Sequence, residues 1–191
     1  SVRYVPRALD YIKRYFQLSD GDKLSRSNGH FNSVITEKTY PRNVAQAHIC
    51  IGNKSIPYKD PQKYTLLTLH ALLGGGMSSR LFQIVREKYG VAYTVFSFTD
   101  FYSDTGIFGV YIGVDKSNID KSIKLIKNEF DKVKKEEISE VVLERLKSQI
   151  KGNLMLGLES TFSRMNRLAK MEMYLKRYFT LDMVLEGIDK V

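Results

Sequence analysis

The sequence predicts an α+β fold, an antiparallel sheet with helices packed on one face. Three observations predict it. Residues 44–52, VAQAHICIG, alternate in the manner of a strand and are followed by two helical patterns before any further strand. Two runs rich in aromatic and β-branched residues, 91–101 and 106–114, flank a Ser103-Asp104 turn and read as a paired hairpin. Everything after them repeats with helical period, so the helices gather on the sheet instead of alternating with its strands.

Taken in order, Leu9, Ile12, Tyr15 and Phe16 stand near helical spacing and predict a short amphipathic helix over 7–16. It runs into LSDGDKLSRSNG, a linker by composition, which separates it from the strand at 44–52. The domain boundaries that follow are 1–18 for the tail of a preceding domain, 19–41 for the linker and 42–191 for the main domain. Asp60 followed by Pro61 is a helix start, with a capping side chain and a proline whose missing N–H costs nothing there. The helix through YTLLTLHALL is apolar almost all round, which predicts burial, and Gly74, Gly75 and Gly76 end it.

A second helix is expected from Ser79 to Tyr89, broken at Gly90 before the two strands. Ser117-x-x-Asp120 resembles a capping box, and Ile119, Ile123, Ile126, Phe130 and Val133 form one stripe of the helix after it. Further helices are expected near 140–158, capped by Ser139, and near 161–177, capped by Ser160 or Thr161. A last helical pattern from Leu181 reaches Val191 without a stop signal, which predicts a domain truncated at its end.

The chain has 191 residues, 43% hydrophobic and 27% charged, enough for one substantial core. It holds no apolar run long enough to span a membrane, and its charged opening residues lack the apolar centre of a secretory signal. Cys50 is the single cysteine, which excludes an intrachain disulfide framework and leans towards a reducing, cytoplasmic compartment. A net charge of +9 attracts anions, but the positive residues are spread over helices. No basic cluster with interleaved aromatics and no zinc-finger spacing is present, so a nucleic-acid partner is not predicted.

His30, His48 and His70 match neither H-x-x-E-H nor H-E-x-x-H, and no pair of them shares a helical face, so no metal site is predicted within the chain. His48 in a strand and His70 in an apolar helix read as packed, hydrogen-bonded histidines. GGGMSS lacks the G-K-[ST] ending of a phosphate loop; its three glycines read as a helix stop that also lets another backbone approach closely. By residue type alone, Arg86 would be a solvated charge and Tyr93 a packing residue.

Residues 74–98, GGGMSSRLFQIVREKYGVAYTVFSF, resemble the signature of the C-terminal domain of pitrilysin/insulinase-type zinc metallopeptidases, closest to the mitochondrial processing peptidase branch. Residues 146–191 resemble the helical end of the same domain, and the likeness extends over nearly everything from about residue 42. The resemblance implies one half of a clamshell, the lobe without metal, closing over a peptide held against an N-terminal half that carries zinc on H-x-x-E-H. It implies transition-state contacts from Arg86 and Tyr93, and substrate contacts from the loop of Gly74, Gly75 and Gly76. Physically, Arg86 offers five donors to substrate carbonyls and Tyr93 a phenol to a tetrahedral oxyanion. The family also has members that do not cleave, partner subunits of processing peptidases and core subunits of the respiratory cytochrome reductase. The short glycine loop is unlike the longer stretch of such α-type subunits and favours the catalytic type. The zinc and the other half are expected outside this chain, which alone is expected to cleave nothing.

Overall fold

A computed structural model describes residues 5–16 and 34–191. The chain divides into two units, residues 1–31 and 32–191. In the first, α1 (Val5–Tyr15) starts two residues before the expected helix, with Pro6 in its opening turn where a missing N–H is harmless. Part of the expected linker, and His30 with it, lies outside the described residues; 34–41 form no regular element and are exposed.

The second unit runs β1 (Gln46–Ser55), α2 (Lys63–Gly74), a π-helical segment (Phe82–Lys88), β2 (Ala92–Phe101), β3 (Gly106–Asp115), a 3₁₀ turn (Lys116–Asn118), α3 (Ile119–Lys135), α4 (Glu140–Gly157), α5 (Thr161–Leu175) and α6 (Leu181–Asp189). Its sheet is antiparallel in the order β1-β3-β2. The hairpin places β2 beside β3, while β1 closes the other side of β3, with Gln46 opposite Asp115 and Ser55 opposite Gly106. The strand alternation read from the sequence therefore sets which side chains face in: Ala47, Ile49 and Ile51 from β1, Val110, Ile112 and Val114 from β3, and Val95 from β2.

On that face Leu73 of α2, Leu81 and Val85 around the π-helical segment, and Ile126 of α3 are buried against the strands. Burying each such aliphatic side chain contributes about 1.5–3 kcal/mol. A second layer joins Ala71 and Leu72, on the far side of α2, to Leu146 of α4, with Val133, Ile138, Val142 and Ile150 around them. The buried Lys147 ties α4 to α6, donating to Glu144 at 2.9 Å and to the Asp189 carbonyl at 3.1 Å. Its charge is thus paired where an unpaired one would be costly.

Helix ends follow local chemistry, with several departures from expectation. Asp60 accepts from the Gln62 N–H at 2.8 Å, but Pro61 and Gln62 form a turn and α2 begins only at Lys63. The Ser117 capping box does not form. Residues 116–118 are wound as a 3₁₀ turn, so Ser117 lacks the extended backbone of a cap, and Asn118 stands at the N-cap without a side-chain bond. Ser139 occupies the N-cap of α4, again without a side-chain bond. Ser160 does cap α5, accepting from Ser163 N–H at 3.3 Å, and Thr180 caps α6 through Met183 N–H at 3.3 Å. A left-handed Lys176, φ 50°, stops α5 two residues before the expected end.

Candidate functional site

The start of β2 carries an irregularity that positions one side chain. Ala92 pairs with Val114 and Thr94 with Gly113, which leaves Tyr93 as an extra residue in a β-bulge. A bulge bends the strand and re-aims the residue it leaves unpaired. Val91 and Ala92 on one side and Val95 on the other are buried, while Tyr93 is 51% exposed. Its hydroxyl donates to Asp115 Oδ2, at the end of the neighbouring strand, at 2.9 Å. That hydrogen bond, and then the carboxylate's negative charge, hold the phenol's pKa above its ordinary value, so Tyr93 stays a donor into alkaline pH.

Arg86 precedes the same bend. Residues 82–88 are wound more widely than an α-helix, with Tyr89 N–H reaching back five residues to Ile84 O at 3.0 Å and Val91 N–H to Val85 O at 3.1 Å. Gly90 then turns the chain with φ +59°, a conformation that costs a glycine little. Arg86 is exposed, and its guanidinium lies 4.8 Å from the centre of the Phe82 ring. Stacking on an aromatic face positions the group while leaving its N–H donors available. Arg86 and Tyr93 thus flank one bend, each anchored by its own element. No described residue forms an ion pair with Arg86.

The glycines divide. Gly74 is buried where α2 meets β2, and a Cβ there would stand 2.1 Å from Ser97 N, so its missing side chain serves a contact within the chain. Gly75 is half-buried, and its carbonyl accepts from Gln149 Nε2 at 3.3 Å. Gly76 is exposed.

The histidines stand apart in function as well as place. His48 is exposed, on the sheet face opposite the helices, and not packed as expected; its Nδ1 lies 2.7 Å from Tyr111 Oη. The reason is that no described helix covers that face. His70 is half-buried in α2, with Nδ1 2.7 Å from Ser97 Oγ, and burial holds its pKa below the ordinary value. Among the described residues no three His, Cys, Asp or Glu side chains converge, so these residues do not fit a catalytic zinc.

Residue-by-residue reading misses Asp115, the acceptor for Tyr93. Its only trace in the sequence is a carboxylate closing an apolar strand, whereas its relation to Tyr93 depends on register and bulge. Together the exposed guanidinium and the oriented phenol can receive negative charge developing on a carbonyl oxygen.

A family model described as "Peptidase M16 inactive domain" matches residues 5–150. The "Uncharacterized zinc protease YmxG" of Bacillus subtilis is 40% identical over 157 residues, 82% of this chain and 38% of that protein. An "Uncharacterized zinc protease" of Streptomyces coelicolor is 38% identical over 150 residues, 78% of this chain and 33% of that protein. The chain therefore spans little more than a third of these relatives' length. Among solved structures, a conserved protein from Enterococcus faecalis superposes with a TM-score of 0.71 at 25% identity, over 84% of this chain and 37% of that one. A peptidase M16 inactive domain from Pseudomonas fluorescens has a TM-score of 0.66 at 22% identity, over 77% and 34% of the two chains, and shares the fold.

Proposed function

The chain belongs to the peptidase M16 inactive-domain family, and from that premise we propose that it is the substrate-binding, non-metal lobe of a zinc-dependent endopeptidase. The observation that carries the reading is Tyr93, lifted from the sheet at a bulge, exposed, and with its hydroxyl already oriented. A substrate carbonyl placed beside it would compete with Asp115 for the phenol's proton donation. It would win most readily when its oxygen carries the negative charge of the tetrahedral state, because hydrogen bonds strengthen with acceptor charge. Arg86 would bind neighbouring backbone carbonyls and hold the peptide in register. Gly76, exposed just past the end of α2, and the adjoining Gly75 would line the approach of that peptide, whereas Gly74, expected beside them, is buried against β2.

The described residues do not fit the zinc, so the metal and the attacking water would be supplied by an N-terminal half, on the same chain or on a partner subunit. Residues 1–18 would be the tail of that half and 19–41 the linker. Alone, this chain is expected to cleave nothing.

The test is Tyr93→Phe in the protein joined with its zinc-bearing half. Losing one preorganised oxyanion donor is expected to lower kcat by roughly a hundredfold while KM changes little. An unchanged kcat would remove the assigned role, and activity absent from the unsubstituted assembly would favour a peptide-binding or scaffold subunit instead.

A further inference from the structure

At the far end of β2 from Tyr93, where α2 begins, Lys63 packs on a cluster of tyrosines. The Lys63 ammonium lies 4.2 Å from the centre of the Tyr58 ring and 5.3 Å from that of Tyr64. Tyr58 is stacked on Tyr174 of α5 with ring centres 4.9 Å apart, and meets Phe101 of β2 edge-on at 6.3 Å. From α5, Arg167 donates through Nη2 to the Phe179 carbonyl at 2.9 Å. Its positive charge acts on Tyr58, Tyr64 and Lys63 together.

No described carboxylate forms an ion pair with Lys63 or Arg167. Nor does any described protein atom accept or donate at the Tyr58, Tyr64 or Tyr174 hydroxyls. The first turn of α2 also contains no acidic residue, so the positive end of its dipole adds to the two cations. Two like charges held together on half-buried side chains repel each other and lose hydration, a cost that protein structures ordinarily offset with a counter-charge. Among the described residues that counter-charge is absent.

We propose that Lys63, Arg167 and the hydroxyls of Tyr58, Tyr64 and Tyr174 form a binding site for an oxyanion, a carboxylate or a phosphate group. Lys63 supplies a point charge and Arg167 a planar fork, while the phenols supply neutral donors that orient the oxygens. All five side chains are half-buried, which leaves the site reachable. Arg167 also lines an open cleft of about 490 Å³ that includes Leu168, Tyr178 and Leu181, room for the apolar part of a ligand. The electrostatics agree with this arrangement. Burial and then the Arg167 charge pull Lys63 below its ordinary pKa. The proposal stands independently of the role assigned to Tyr93.

The experiment titrates the full chain with inorganic phosphate and, separately, with acetate, at constant ionic strength, in an isothermal calorimeter. Saturable binding of at least one anion is expected, weakened roughly tenfold or more by Arg167→Gln, the loss of one charge-assisted hydrogen bond. Lys63→Met, which keeps the stem on the rings, should weaken it comparably, and Tyr174→Phe, which keeps the stack, by less. Phosphate alone would identify a phosphate ester as the ligand, and acetate as well a carboxylate. No saturation by either anion, or unchanged affinity in Arg167→Gln, overturns the site. Should the charge variants not fold, ring-labelled tyrosine spectra of the unsubstituted chain decide it: the Tyr58, Tyr64 and Tyr174 signals must shift with phosphate, and stationary signals overturn the proposal.

Discussion

At the scale of single residues, Tyr93 and His70 titrate in opposite directions for reasons visible in their surroundings. The Tyr93 phenol is raised by its hydrogen bond to Asp115, so the interaction supports the fold fully below about pH 10 and is lost as pH climbs through the raised value. Phenolate absorbance, taken as the difference between the parent chain and Tyr93→Phe, should show a midpoint above 10 that falls back in Asp115→Asn. An unmoved midpoint would mean that the carboxylate does not hold the phenol. His70 is lowered by burial, so the unfolded chain binds its proton first as pH drops. Stability is therefore expected to fall as pH drops through the ordinary histidine value of about 6.5 towards the lowered one, and His70→Gln should flatten that slope in urea titrations. Arg86 and Tyr93 were legible as residues because a resemblance pointed to them. Their exposure was not, since it depends on a bulge and a π-helical turn that leave no mark in composition. Asp115, Lys63 and Arg167 were invisible as partners because each meets residues far away in sequence, and such meetings exist only once α2, α5 and the sheet have docked.

Among the elements, α2 is fitted tightly against β2 at Gly74. Gly74→Ala would force a methyl against Ser97 N and push α2 off β2, an overpacking expected to cost about 1–3 kcal/mol or more in urea unfolding. Gly90→Ala meets nothing within 4 Å but must hold φ +59°, and is expected to lose about 1–2 kcal/mol by strain alone. An unchanged midpoint in Gly90→Ala would contradict the strain assigned to its backbone. Strand boundaries were readable from alternation to within a few residues. Helix starts were less so: Ser160 caps as its type suggests, whereas Ser117 does not, because the 3₁₀ turn around it removes the backbone conformation that a cap requires. The sequence pattern at 79–89 announced a helix but could not announce its widened winding, which arises where the segment must deliver both Val85 and Val91 to one core.

For the whole molecule, the buried core of the second unit assembles, among the described residues, from residue 47 onward. The fold class was legible because segregated strands and helices admit few architectures; the strand order was not, since alternation says nothing about which neighbour a strand chooses. That order shapes how the chain must assemble. β1 leaves the ribosome long before β3, its only partner among the described residues, and the hairpin of β2 and β3 can close on itself first. Synthesis halted anywhere short of Gly106 would strand β1 with its backbone donors and acceptors unclaimed, an invitation to pair with another nascent chain.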